Sequence, residues 1–174
     1  MFERNDPQID RLLSLVGGVA VTFAIMETSL DLCINGFYYN LGASALVTEL
    51  PRTAMNKKLE FLRTVFASGT KFGTDFPKML ELADTVEKYA DHRNQIIHGA
   101  ASLTFADDGS TQFRRLQRTK TDLRQVVMTL TPEHIEEFIT QVFDLAMFLA
   151  NFAEVLLVAP ADDQGDEPSG EGAV

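Results

Sequence analysis

The sequence has 174 residues, 45% of them hydrophobic, which is enough to bury the core of one ordinary domain. Fifteen basic residues against 25 acidic ones give a net charge of −10, which excludes a globally basic field for nucleic acid and leaves room only for a local one. The single cysteine, Cys33, excludes a disulfide framework and a zinc site built from several thiolates, and thirteen phenylalanines with no tryptophan predict a core of phenylalanine and aliphatic side chains.

Along the chain, the first apolar pattern predicts one long helix over residues 7–40, with Gly36 and Gly42 marking where it weakens or ends. A second helix is predicted over residues 53–67. The longest uncharged apolar stretch, residues 12–26, is short for a membrane span, and the N-terminal residues do not resemble a signal peptide. We therefore expect buried core helices, no membrane association and a cytoplasmic protein.

A third helix is predicted over residues 75–98. Asp75 is its expected cap, Pro77 fits its first turn and Gly99 is its expected stop. This helix has an apolar stripe that includes Arg93 and a neighbouring polar stripe that ends at His98. Both Arg93 and His98 are thus predicted to lie near the end of this helix.

The sequence changes character between residues 101 and 130, where we predict a small β-hairpin insert. Strands over 102–106 and 111–116 flank an Asp-Asp-Gly-Ser turn signal, and residues 125–130 are predicted to form a third strand. The insert also holds five of the fifteen basic residues, namely Arg114, Arg115, Arg118, Lys120 and Arg124. One interpretation of this cluster is a solvated strand face, and the other is a contact with an RNA backbone.

The last helix is predicted from Thr131-Pro132-Glu133 to about Val158, and it is apolar on nearly every side. Such a helix needs neighbours on several sides, and four helices supply few of them. We therefore infer a homodimer with part of this helix at the interface; a central helix in a monomeric bundle is the alternative. Residues 159–174 contain five acidic residues and no basic one, which predicts a flexible acidic tail after a single domain over residues 1–158.

One motif carries a functional hypothesis: Arg93, Asn94 and His98 follow the pattern R-N-x-x-x-H. His98 can donate and accept protons near neutral pH, and Arg93 can hold a phosphate in a two-pronged contact. Asn94 can hydrogen-bond the phosphate or orient His98. Five positions along a regular helix leave Arg93 and His98 pointing about 140° apart, so that a kinked last turn or a two-fold axis would be needed to aim both at one phosphate.

With this motif and its helical order, the chain resembles the HEPN superfamily, a group of all-helical domains with an R-x(4–6)-H motif. Arg93, Asn94 and His98 match that motif residue for residue, while the hairpin insert departs from the minimal four-helix pattern. The resemblance implies a mainly α, HEPN-like bundle of about four long helices, whose motifs meet across a homodimer interface in a composite site. It also implies a metal-independent endoribonuclease of the toxin or phage-defence type, with RNA as substrate, an antitoxin as partner and no cofactor.

Other interpretations stay open. Glu27 lies on the apolar stripe of the first helix, where it is either a structural partner of Arg93 or an accessory acid/base. His92 is assigned to the surface, and His134 is taken as incidental. The whole chain is alternatively a non-catalytic dimeric module that binds nucleotide, RNA or protein, which the net charge of −10 favours, or an inert structural adaptor.

Overall fold

The computed structural model describes residues 7–51, 54–100, 102–118 and 122–158. Within these ranges the chain is mainly helical with one small antiparallel sheet, which confirms the predicted fold class at that level. The α-helices are α1 (Pro7–Asn35), α2 (Met55–Val65), α3 (Lys71–Asp75), α4 (Met79–Gly99) and α5 (Pro132–Val158). The strands β1 (Leu103–Phe105), β2 (Thr111–Arg118) and β3 (Leu123–Leu130) lie between α4 and α5 in the sequence.

The first predicted helix forms over its full length but changes geometry at its end. Helix α1 continues into a π-helical turn, Gly36–Asn40, at the point where α5 comes closest. A Cβ on Gly36 would lie 2.7 Å from the Cβ of Leu156, so only glycine allows this approach. Gly42, with φ of +77°, then turns the chain, as predicted.

Helices α1 and α5 pack side by side, run in the same direction and form the centre of the fold. Near their starts, Arg11 donates a 2.9 Å hydrogen bond to Glu136. Towards their ends, the Cys33 thiol donates to the carbonyl of Leu149 at 3.1 Å. The end of α1 and the start of α5 therefore lie at opposite ends of this helix pair.

Phenylalanine rings fill the core where α1, α2, α3 and α5 meet, as the composition predicted. Phe37 is fully buried and makes edge-on contacts with the rings of Phe66, Phe72 and Phe76. The ring of Phe152 packs against it at a tilt. Edge-on contacts between rings add to the free energy of burial, so this cluster joins four helices.

The predicted third helix is wrong at its start. Asp75 does not cap it but is the last residue of α3, a short helix that the sequence did not predict, and α4 begins at Met79. Pro77 explains the break, because a proline disfavours helical backbone at the residue before it. That residue, Phe76, has φ of −129° and ψ of 62°, outside the helical region.

Helices α2 and α5 form where predicted. Helix α2 lies inside the predicted range 53–67, whose first residue is outside the described part of the chain. At the start of α5, Thr131 accepts a 3.3 Å hydrogen bond from the amide of His134, as expected for its cap. The predicted acidic tail, residues 159–174, lies wholly outside the described residues.

The insert forms an antiparallel sheet in the order β1-β2-β3, in which β1 is shorter than predicted and β2 and β3 are each two residues longer. Phe113 of β2 lies opposite Met128 of β3, and Arg115 lies opposite Val126. These four residues share the sheet face that meets α4, because Phe113 is fully buried there. Gln95 of α4 donates hydrogen bonds to the carbonyls of Phe113 (3.2 Å) and Val126 (3.1 Å), which fixes both strands to the helix.

Gly99 ends α4 as predicted, and Ala100, which follows it, has right-handed backbone with φ of −61° and ψ of −20°. A Cβ on Gly99 would lie 2.7 Å from the Cβ of Phe113. The glycine therefore provides space for β2 to approach the last turn of α4.

Candidate functional site

The end of α4 and the end of β2 border an open cleft of about 620 Å³. Asn94 is half-buried and His98 is exposed, and both line the cleft from the helix. Arg115 and Arg118 line it from the strand, beside Leu116 and Gln117. The structure thus brings together two residues of the motif and two residues of the predicted basic cluster.

Strand geometry explains why Arg115 reaches the cleft. It lies two residues after the buried Phe113 and so points to the same side of the sheet, towards α4. Arg118 is the last residue of β2 and is exposed. Among the described residues, neither of these arginines forms an ion pair, and no carboxylate lines the cleft.

Arg114 and Arg124, two more residues of the predicted basic cluster, do not join this cleft. Arg114 points to the opposite side of the sheet, where it donates a 3.0 Å hydrogen bond to the side chain of Gln112. Arg124 is exposed and faces Asp122 at 3.7 Å. Lys120 lies outside the described residues. The pleat of the sheet therefore divides the basic cluster, which the sequence presented as one unit.

Arg93 lies on another side of α4 and does not line the cleft. Its Nη1 donates a 2.9 Å hydrogen bond to Oδ1 of Asn94, and its guanidinium carbon lies 5.5 Å from the centre of the Phe23 ring. Its Nε is buried and has no hydrogen-bond partner among the described residues. Arg93 and His98 do not converge within one chain, as the helical geometry predicted; Asn94 contacts Arg93 and lines the cleft that His98 also lines.

Glu27 does not pair with Arg93, which was one of the two predictions for it. It accepts a hydrogen bond of 3.1 Å from Nζ of Lys58, which also contacts Asp31 at 2.8 Å. The Lys58 side chain is only 2% exposed. Lys58 was not predicted as a buried residue, although it follows Met55 by three positions and so lies on the apolar side of α2. Glu27 lies outside the cleft lining.

The remaining histidines and the cysteine lie elsewhere. His92, assigned to the surface, is half-buried, and its ring lies edge-on to Phe138 with centroids 5.6 Å apart. His134 is exposed, and its Nδ1 accepts a 3.4 Å hydrogen bond from the amide of Thr131. Burial raises the pKa of the Cys33 thiol to about 12, which leaves little nucleophilic thiolate at neutral pH. Within the described ranges no three His, Cys, Asp or Glu residues are placed to hold a metal ion.

Comparison with known proteins adds no assignment: no family model, curated protein or solved structure matches this chain. Two helical stretches, Pro7–Asn40 and Pro132–Val158, are long and apolar enough to cross a membrane, with mean hydropathies of 1.7 and 1.6. Length and composition alone are weak grounds, because core helices of soluble proteins pass the same test. The class of protein therefore depends on the geometry of the cleft.

Proposed function

We propose that the chain is a HEPN-like, metal-independent endoribonuclease of the toxin or phage-defence type. The observation that supports this function best is the cleft, where one imidazole, two side-chain amides and two guanidinium groups border the same open space. Cleavage of RNA by its own 2′-hydroxyl needs proton transfer and stabilisation of negative charge on the phosphate. These side chains are of the types that such a reaction requires.

Each side chain has a role in this proposal. His98 is exposed to the cleft and exchanges a proton with the attacking 2′-hydroxyl or the departing 5′-oxygen. Asn94 donates a hydrogen bond to the phosphate from its amide nitrogen, because its oxygen already accepts one from Arg93. One imidazole serves one proton transfer at a time, so a second His98, from another copy of the chain, would serve the other.

The second copy is part of the proposal, and the surface formed by α1 and α5 is the expected homodimer interface. It contains apolar side chains between 41% and 63% exposed: Val21, Ile25, Leu32, Phe143 and Met147. On α1, the three exposed residues lie on the same side of the helix as Gly18, and on α5 the two exposed residues lie on the same side as Ile139. Gly18 packs against Ile139. The surface therefore flanks the line where the two helices meet. The α1 part of this surface has no charged side chain, so a two-fold axis could bring the same residues of two copies into contact without electrostatic repulsion.

A dimer accounts for this surface better than a membrane does, and we propose a cytoplasmic protein on this ground. Since α1 and α5 are parallel, residues 36–131 would have to cross the bilayer between them if both helices spanned it. No third stretch within the described residues is apolar and long enough for that crossing.

Sedimentation velocity tests the dimer directly. We expect the full chain to sediment as a dimer at micromolar concentration, and the double variant Val21→Glu, Ile25→Glu to sediment as a monomer because it places charge at the interface. Val127→Glu is the matched control, since Val127 is 49% exposed on the sheet and lies opposite Arg114, on the side away from α4. A wild-type monomer under these conditions would contradict the dimer.

A cleavage assay tests the enzymatic function. Purified full-length protein is incubated with a mixed RNA pool in the presence of EDTA, together with His98→Ala. We expect cleavage by wild type and none by the variant. Absence of cleavage by a folded dimer would overturn the catalytic proposal. Growth arrest on expression, rescued by a neighbouring gene, would identify a toxin with its antitoxin.

The alternative is a non-catalytic module that binds RNA, nucleotide or protein. One observation favours it: the Arg93 guanidinium is engaged by Asn94 and the Phe23 ring, and so does not border the cleft. Binding without cleavage, unaffected by EDTA, would support this alternative. An inert adaptor would show neither binding nor an effect of His98→Ala.

A further inference from the structure

We propose that the sheet insert supplies the substrate-binding cations of this site, with Arg115 and Arg118 binding backbone phosphates of a single-stranded RNA. Recognition would then depend on the phosphates and hardly on the bases. This inference rests on the proposed ribonuclease function and names the residues that hold its substrate. It also gives the insert, which the minimal four-helix pattern lacks, a specific task.

The local charge of the cleft differs from that of the whole chain. The chain as a whole has a net charge of −10, so a polyanion is repelled by most of its surface. The described lining of the cleft, in contrast, contains Arg115 and Arg118 and no carboxylate. Arg124, outside the cleft, faces Asp122 at 3.7 Å instead. The cleft is therefore a place where cationic side chains are available to a phosphate without first breaking an ion pair.

Close contacts hold strand β2 beside the end of α4, where the motif lies. Gly99, the residue after His98, lies directly against Phe113 and the backbone of Arg114 on β2. Gln95 holds the carbonyls of Phe113 and Val126, the latter directly opposite Arg115. The helix that presents His98 and the strand that presents Arg115 thus form one unit. A phosphate bound by the strand stays next to the imidazole.

The described lining of the cleft offers no large aromatic face on which a base could stack. None of the described residues that line the cleft has an aromatic ring other than the His98 imidazole. Proteins that hold single-stranded bases mostly stack them on large aromatic rings, with arginine contributing less. Two guanidinium groups and two amides match phosphate oxygens better. We therefore expect weak preference among bases and strong dependence on salt.

Fluorescence anisotropy with uncleavable RNA tests this inference. The probes are labelled 2′-O-methyl 12-mers of uridine and of adenosine, which lack the attacking hydroxyl, and the protein is the full chain at 50 and 200 mM salt. We expect Arg115→Ala and Arg118→Ala each to weaken binding about tenfold and to reduce the slope of log K against log salt by about 1. Arg115→Lys should restore part of the loss because it keeps the charge.

The matched controls are Arg114→Ala, on the other side of the sheet, and Arg124→Ala, both expected within about twofold of wild type. Equal losses in all four variants would show diffuse attraction and overturn the inference, as would no binding by wild type. Preference for one 12-mer above about tenfold would overturn recognition through the backbone.

His98→Ala separates the two proposals: it should bind the probe like wild type and yet not cleave RNA. If Arg115→Ala binds and cleaves normally while His98→Ala is inactive, the inference fails and the ribonuclease stands. If binding of the probe needs Arg115 but the wild-type protein cleaves no RNA, the phosphate-binding role of Arg115 stands and the ribonuclease proposal fails.

Discussion

The guanidinium of Arg93 donates a 2.9 Å hydrogen bond to Oδ1 of Asn94, the next residue along α4. Asn94 lines the cleft and Arg93 does not. With its oxygen engaged, the Asn94 amide is left with its nitrogen as a donor towards the cleft. Arg93 therefore acts on the cleft through Asn94, as a positioning residue, and stays in place through its contact with the Phe23 ring.

This relationship predicts that Arg93 and Asn94 act as a unit. We expect Arg93→Ala and Asn94→Ala each to lower kcat for RNA cleavage about a hundredfold, and the double variant to be no worse than either one. KM should change little, because binding of the RNA before reaction depends on the strand arginines, whereas the Asn94 hydrogen bond strengthens as charge develops in the transition state. Lys88→Ala removes an exposed cation from the same helix and should leave kcat unchanged. A double variant whose loss is the product of the two single losses would show that Arg93 acts independently of Asn94.

Much of the fold could be predicted because its information is local. Helices α1, α2 and α5 each bury a continuous apolar side, which the spacing of their residues reveals. The break between α3 and α4 was missed because the helical pattern continues across it. The position of the break depends on non-local contacts, because Phe76 packs against Phe37 and Phe152, which come from distant parts of the chain.

The sequence predicted most residues of the candidate site but did not predict which of them lie together in space. The motif identified Asn94 and His98, and composition identified the basic cluster. Which arginine faces the helix depends on how the sheet is oriented on α4, and Gln95 fixes that orientation through contacts 18 and 31 residues away. Lys58 was missed for the same reason, because its carboxylate partners lie on another helix.

The buried ammonium of Lys58 predicts a large effect on stability. Lys58→Met keeps the packing of the stem but leaves Glu27 and Asp31 facing each other without their cation. Both carboxylates are more than a third exposed, so water offsets part of the loss, and we expect the free energy of unfolding to fall by about 2–3 kcal/mol. Urea denaturation measures it.

Lys57→Met is the matched control, because Lys57 is exposed on the same helix and pairs with Glu60. Its effect should stay within about 0.5 kcal/mol. Adding Glu27→Gln and Asp31→Asn to Lys58→Met should recover part of the stability. A Lys58→Met protein as stable as wild type would show that the ion pairs contribute nothing.

Burial of Cys33 predicts slow thiol chemistry and loss of stability at high pH. Its pKa is raised to about 12 by burial, against 9.0 for the ordinary thiol. Below pH 9 the thiol is neutral in both the folded and unfolded states. Above pH 9 only the unfolded state ionises freely, so this group's contribution to stability falls as the pH rises towards 12.

Two measurements check this behaviour. Labelling with a disulfide reagent at pH 8 should be at least about a hundredfold slower in the native protein than in urea, because the thiolate is scarce and inaccessible. Urea denaturation between pH 8 and pH 11 should show a steeper loss of stability for wild type than for Cys33→Ala. Identical pH profiles would mean that the thiol ionises equally in both states.

The contact between Gly99 and Phe113 predicts that the smallest added side chain is harmful at the end of α4. Gly99→Ala would place a Cβ 2.7 Å from the Cβ of Phe113, so the strand must move, and we expect a loss of about 1–3 kcal/mol in the free energy of unfolding. Gly17→Ala is the control: nothing lies within 4 Å of its added Cβ, and alanine favours helix, so a gain of about 0.5–1 kcal/mol is expected. Urea denaturation gives both values, and hydrogen exchange should show faster opening of β2 in Gly99→Ala alone. If both variants gained stability, β2 would not depend on close contact with α4, and the rigid link between His98 and Arg115 would be refuted.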